Sequence, residues 1–170
     1  FTSPYPVDFT DDVIAAMAET PQVCPSLHLP VQSGSEMQLT AMQRGYTAAR
    51  YRDLVRSLRA AIPDLALTTD IITGFCGETD DDFQLTVDLM QEIRFDSAFM
   101  FMYSERSGTQ AAKSMADDVP ESVKKERLQR IIKMQEEISR QINTSMVGRQ
   151  VEVLVPGQNK RRADDGSATF

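Results

Sequence analysis

Three hydrophobic runs in this chain end in polar, glycine-bearing segments: Leu27 to Ser35 (LHLPVQSGS), Leu65 to Thr79 (LALTTDIITGFCGET) and Phe99 to Thr109 (FMFMYSERSGT). Between them the tails supply amides, hydroxyls, carboxylates and a guanidinium, and glycine lets a backbone approach a ligand closely. In a parallel α/β architecture the residues just past the strand carboxyl ends build the ligand site. Three such tails in series therefore predict one composite pocket, and with it an enzyme.

Other chemistry-bearing residues have plainer readings. Cys24 and Cys76 lie far apart and show neither a disulfide framework nor a metal-ligand spacing, so both thiols are expected to pack as small apolar groups in a reducing compartment. Asp80-Asp81-Asp82 follow Thr79 in the form of a capped helix start, where acidic groups complement the helix dipole. Three consecutive helical residues point in divergent directions, which argues against a metal site. His28 falls within a strand and reads as a satisfied core histidine. The Phe/Met alternation of residues 96–103 reads as a buried strand with helices over its outer face.

Helical stripes and stop signals alternate between these segments. Thr10 opens a short helix with Val13, Ile14, Met17 and Ala18 on its apolar face, and Leu27 to Val31 follows as a strand. A short helix over 36–43 precedes a longer one over 48–61, capped by Thr47, with Tyr51, Leu54, Val55, Leu58 and Ile62 facing the core. After the strand Leu65 to Thr73, the Thr79-capped helix carries Phe83, Val87, Met90 and Ile93. The strand Asp96 to Tyr103 leads to Pro120 at a first helical position and a long helix marked by Val123, Leu128, Ile131, Ile132, Gln135, Ile138 and Ile142. Val151 to Val155 then opens a β segment.

Repeated βα units of this kind predict a partial parallel (βα) barrel, α/β in class, over 1–148 and the truncated start of a small β domain over 149–170. About four strands are visible where a closed barrel has eight. Phe1-Thr2-Ser3 reads as the end of a further strand.

With 170 residues, 41% hydrophobic and 25% charged, the chain can bury a sizeable core. No run approaches the roughly 20 apolar residues of a membrane span, and the FTSPYPVDFTDD start lacks signal-peptide character. The net charge of -7 argues against a nucleic-acid partner at first sight. Its distribution is uneven: residues 1–119 hold 8 basic and 18 acidic side chains, whereas residues 120–170 hold 10 and 7. Lys160-Arg161-Arg162 is the densest basic cluster, read first as a solvated turn after a mixed-charge helix.

The segments His28-Leu29-Pro30-Val31-Gln32-Ser33-Gly34-Ser35 with Met42-Gln43-Arg44-Gly45-Tyr46-Thr47, Thr69 through Thr79, and Phe95 through Thr109 closely resemble the radical S-adenosylmethionine methylthiotransferases, in particular their tRNA-modifying branch. The similarity runs over nearly all of residues 1–157. It implies the C-terminal portion of a radical-SAM barrel followed by the start of a TRAM domain. The implied activity is radical transfer of a methylthio group to C2 of N6-isopentenyladenosine-37 in tRNA, with S-adenosylmethionine and [4Fe-4S] clusters as cofactors.

Carried over residue by residue, the resemblance assigns S-adenosylmethionine binding to Gln32, Ser33, Gly34, Arg44, Asp70, Ile72, Gly74 and Tyr103, and RNA binding to Arg106, Lys160, Arg161 and Arg162. Arg44 as a surface helix charge, and Glu78 as a helix-start residue, remain equal alternatives. The Cys-x3-Cys-x2-Cys cluster motif is absent, so this chain alone is expected to be inactive and to hold no metal, its cluster ligands lying in a missing N-terminal half. Two positions depart from the family pattern. Tyr5 stands in Ser3-Pro4-Tyr5-Pro6 where relatives read Ser-Pro-His-Pro, and Cys76 replaces the usual proline of Phe-Pro-Gly-Glu-Thr. The cysteine form is similar to some organelle-associated relatives, so the expected cytoplasmic location has an organellar alternative. The expected partners are tRNA, the missing half of the protein, and a second copy along an exposed barrel edge; no membrane is involved. Rival readings are a non-catalytic RNA-binding module and a methylthiotransferase acting on another tRNA base or on ribosomal protein.

Overall fold

The computed structural model describes residues 4–150. The expectations for Phe1-Thr2-Ser3, for Val151 to Val155 and for Lys160, Arg161 and Arg162 lie outside the described residues. A 3-10 turn (Pro6–Asp8) leads into α1 (Asp11–Glu19), β1 (Ser26–His28), α2 (Glu36–Ala41), α3 (Ala48–Ala61) and β2 (Ala66–Thr73). There follow α4 (Asp80–Ile93), β3 (Ser97–Met102), α5 (Gln110–Ser114) and α6 (Glu121–Ser145).

The described strands form one parallel sheet in the order β1-β2-β3. Its register pairs Leu27 with Leu67 and His28 with Thr68 on one side of β2, and Asp70 with Phe99 and Ile72 with Phe101 on the other. Strand β1 is shorter than the expected Leu27 to Val31 because Pro30 has no N–H to give the ladder. Thr69 repairs the gap through its side chain: its hydroxyl accepts from Val31 N at 3.0 Å and donates to Leu29 O at 2.9 Å. Ladder geometry then returns at Gln32, whose N–H donates to Asp70 O and whose carbonyl accepts from Ile72 N, each at 2.9 Å.

Local signals explain where the helices begin. Thr47 accepts from Arg50 N, and Thr79 forms a reciprocal capping box with Asp82. Thr10 precedes α1 as expected, but its hydroxyl bonds the Asp12 carboxylate instead of a backbone N–H. Pro120 sits one residue earlier than the first helical position, as the N-cap of α6.

One face of the sheet makes the core. Leu27, Leu67 and Ile71 are fully buried, together with Tyr51 and Leu58 of α3 and Leu89 and Met90 of α4. Each such side chain contributes about 1.5–3 kcal/mol on burial. Helix α6 packs against β3 and β2 along Lys124, Arg127, Ile131, Gln135 and Ile138. Its buried stripe thus includes two cations that an apolar reading of the helix omits; Val123, Leu128, Ile132 and Ile142 are half-buried beside it.

The opposite face of the sheet is open, and it corrects two expectations. Ala98 and Met100 of β3 are half-buried against the core, but Phe99 and Phe101 are 57% and 54% exposed, so β3 is covered on its helix side alone and only in part. Cys76 is buried as expected, whereas Cys24, in the turn before β1, is exposed.

Candidate functional site

Alternation along β2 sends Leu67, Thr69, Ile71 and Thr73 into the core and turns Thr68, Asp70 and Ile72 to the open face. Parallel pairing sets Phe99 and Phe101 beside Asp70 and Ile72. Past the strand ends this face deepens into a cavity of about 620 Å³. Gln32 comes from the first tail, Asp70, Ile72 and Phe75 from the second, and Tyr103 and Arg106 from the third. The three tails converge, as their order in the chain predicts.

The approach to the cavity is built from unusual backbone. Gln32 has φ 70 and Gln43 has φ 56, left-handed values that cost a non-glycine residue about 1–3 kcal/mol. At Gln32 the ladder bonds on both sides of the residue hold that conformation, and the side chain lines the cavity. Gln43 turns the chain after α2 so that Arg44 also lines it. Arg44 is therefore in a turn, not on a helix surface. Its Nε is buried without a hydrogen-bond partner, so this fixed positive charge has an unmet donor beside the cavity. Tyr5 supports the same turn: its hydroxyl accepts from Gly45 N at 2.6 Å, and its ring meets Tyr46 edge-on.

Other expected site residues lie away from this cavity and tie its walls together. Ser33 is fully buried, its hydroxyl 3.1 Å from that of Thr86 on α4, which also accepts from Gly34 N at 3.0 Å. A Cβ on Gly34 would lie 2.3 Å from the Leu85 carbonyl oxygen, so glycine serves here for contact between tail and helix. Ser35 donates to Asp82. Burial works to raise the Asp82 carboxyl, but hydrogen bonds from Ser35 and Thr79 outweigh it and hold the group below the usual carboxylate range.

Gly74 has φ +71, and a Cβ there would meet the Lys124 side chain at 2.3 Å. Its N–H donates to the Glu78 carboxylate at 2.7 Å, and Glu78 in turn pairs with Arg127 at 2.8 Å. Arg127 also donates to Glu78 O and to Asp80. Burial pushes the Glu78 carboxyl up, against the opposing pull of Gly74 N–H and Arg127. Glu78 is thus neither a surface helix-start charge nor a wall of this cavity, but the buried clasp between the second tail and α6. Lys124, the other buried cation, pairs with Asp117 and lies 5.1 Å from the centre of the Tyr103 ring. Tyr103 also meets Phe75 edge-on at 4.8 Å, so its ring is wedged between the second tail and α6.

Phe101, within the third tail but without a role of its own in the sequence, also lines the cavity, and the unexpected α5 closes one side with Gln110, Ala111 and Ser114. The signal for α5 was Thr109, which caps it by accepting from Ala112 N at 3.3 Å.

Comparison with known proteins places this geometry. The chain is 56% identical over 164 residues to the tRNA-2-methylthio-N(6)-dimethylallyladenosine synthase of Mycolicibacterium vanbaalenii, covering 96% of this chain and 32% of that protein. Against the synthase of the same name from Thermobifida fusca the identity is 57%, with 97% and 33% covered. The chain spans about a third of the length of the curated relatives it matches. Among solved structures, coproporphyrinogen III oxidase (HemN) of Escherichia coli, described as a radical SAM enzyme, superposes with a TM-score of 0.67 at 19% identity, over 80% of this chain and 31% of that one. The Radical SAM superfamily matches residues 1–90. The open-faced parallel sheet, the cavity at its strand ends and this match agree: the chain belongs to the radical SAM superfamily.

Proposed function

We propose that this chain is the cofactor- and substrate-facing part of a tRNA methylthiotransferase that modifies C2 of N6-dimethylallyladenosine. The observation that carries the reading is the buried, unpartnered Nε of Arg44, a residue lining a cavity of about 620 Å³ whose walls include Gln32, Asp70 and Ile72. S-adenosylmethionine presents an anionic carboxylate at one end and a nucleoside at the other, and the walls match both: a guanidinium for the first, and an apolar side chain with hydrogen-bonding neighbours for the second. When bound, that cofactor supplies the radical chemistry of the superfamily. Arg44 would pair with the carboxylate, Gln32 would hydrogen-bond the amino-acid end or the ribose, and Ile72 would pack on the adenine. Ser33, Gly34 and Gly74 would act on the cofactor indirectly, by setting the walls. Tyr103 and Arg106, both lining the cavity, would offer the edge of a ring to a base and a cation to a phosphate.

The residues present do not fit an iron-sulfur cluster. Cys24 is exposed before β1 and Cys76 buried after β2, and among the described residues no group of three or more His, Cys, Asp or Glu is placed to hold a metal. The thiolates for such a cluster belong to protein matching the two thirds of the relatives that this chain does not span. Among the described residues no helix is long and apolar enough to cross a membrane. We place the activity in the cytoplasm, where tRNA is processed.

Deleting the gene in its host and digesting total tRNA to nucleosides tests the reading. Mass spectrometry should show 2-methylthio-N6-dimethylallyladenosine lost and its unthiolated precursor accumulating. An unchanged methylthio nucleoside would refute it.

A further inference from the structure

His28 has no part in the chemistry described so far, yet both of its ring nitrogens are engaged. Nδ1 lies 2.8 Å from the Thr68 hydroxyl and Nε2 lies 3.2 Å from Asp70 Oδ1. A carboxylate oxygen is an acceptor, so a proton on Nε2 draws the pair together, and with that proton on Nε2 the other nitrogen, Nδ1, is free to accept the Thr68 hydroxyl hydrogen. The backbone enforces the grouping, because His28 is the register partner of Thr68, and Thr68 and Asp70 project from the same face of β2. Phe99 closes the set, its ring edge-on to the imidazole at 5.6 Å.

The pair is half-withdrawn from water, with side-chain exposures of 14% for His28 and 27% for Asp70. Asp70 holds one oxygen within ion-pair range of the imidazole. Among the described residues no hydrogen bond reaches the other, and Asp70 lines the cavity. A carboxylate oxygen held next to exposed aromatic rings suits a flat, donor-bearing ligand and repels phosphate.

We propose that His28 is a positioning residue: oriented by Thr68, it aims Asp70 so that the second carboxylate oxygen accepts a hydrogen bond from an O–H or N–H of a nucleoside in the cavity. The inference rests on the functional reading above, in which Asp70 lines the cavity, and extends it to His28 and Thr68, which have no assigned role. The nucleoside has two possible sources, the adenosine of S-adenosylmethionine and a nucleotide of the RNA.

The test measures binding to the full-length holoenzyme in two arms, S-adenosylmethionine by calorimetry and an anticodon stem-loop RNA bearing N6-dimethylallyladenosine by filter retention. His28→Ala should weaken one arm on the order of tenfold, as expected for a lost charge-assisted hydrogen bond, and the weakened arm identifies the source. His28→Gln, whose amide N–H can take the place of Nε2, should stay within about threefold of the parent. His28→Ala in an Asp70→Ala background should add nothing, since His28 acts through Asp70. Should His28→Ala fail to fold, the comparison rests on His28→Gln and on Thr68→Val, which strips the hydroxyl that sets the tautomer and should weaken the same arm. Normal binding by a folded His28→Ala, no rescue by glutamine, or additive losses with Asp70→Ala would each overturn the proposal while leaving the functional reading intact. A parent protein that binds neither probe would remove both.

Discussion

Replacing Arg127 by methionine should unclasp the second tail from α6, and the cost can be worked from the structure. The Glu78 and Arg127 side chains are 1% and 7% exposed, and Arg127 makes two hydrogen bonds to Glu78 alone. Methionine keeps much of the arginine stem's packing but leaves a carboxylate buried with Gly74 N–H as its remaining partner. Removing one member of a buried ion pair costs about 3–5 kcal/mol, because the other charge is stranded. For a chain of this length each kcal/mol moves Tm by about 2–4 °C, so thermal melting should fall by about 6–20 °C near neutral pH.

The pH dependence has a definite sign. Burial already sets the folded-state pKa of Glu78 above its ordinary value, so its contribution to stability is whole below the unfolded pKa and is lost as pH rises through the folded one. Without Arg127 that loss grows. The gap between variant and parent should therefore be wide at about pH 8 and narrow as pH falls and Glu78 takes up a proton. Adding Glu78→Gln to the variant should recover most of the loss at the higher pH. Circular dichroism melts at the higher and at a lower pH measure all of this. A drop below about 2 °C at the higher pH, or an equal drop at both, would refute the reasoning.

Three further outcomes follow from single contacts. Gly34→Ala places a methyl 2.3 Å from the Leu85 carbonyl oxygen and should cost at least the roughly 1–3 kcal/mol of overpacking, read as a lower urea midpoint, while Gly77→Ala, where a Cβ meets nothing within 4 Å, should cost only the strain of its φ +74. Arg44→Ala should weaken S-adenosylmethionine binding by roughly ten- to a hundredfold in calorimetry and leave Tm nearly unchanged, since its Nε has no partner in the protein to lose. Thr79→Ala should cost about 1 kcal/mol by denaturant titration through loss of its half of the capping box.

Helices α3 and α4 were legible in the sequence because a capping threonine stood before an apolar stripe in each, and the structure uses both signals. The convergence of three strand-end tails was legible for the same kind of reason: parallel topology leaves their direction little choice. What could not be read was which neighbour each tail residue would meet. Ser33 and Gly34 have the composition of ligand-binding residues, but the close approach of α4 claims them. Lys124 and Arg127 look like solvated helix charges, yet they fall in step with Ile131, Gln135 and Ile138, and that spacing was the available clue. In β3 the period of two announced that the faces differ; it carried no information about which face helices would cover. His28 was legible as satisfied, since strand histidines rarely lie idle, but its partner Asp70 is remote in sequence and is brought to it only by the pairing of β1 with β2.

The two-sidedness of β3 separates what this strand can change from what it must keep. Ala98 and Met100 answer to the packing of α6, whereas Phe99 and Phe101 contribute little to the buried core. Swapping either phenylalanine for another side chain should leave the fold nearly indifferent while reshaping the wall that a ligand touches. Ligand preference in this protein is therefore open to stepwise revision at alternate residues of one strand, with folding held constant by the residues between them.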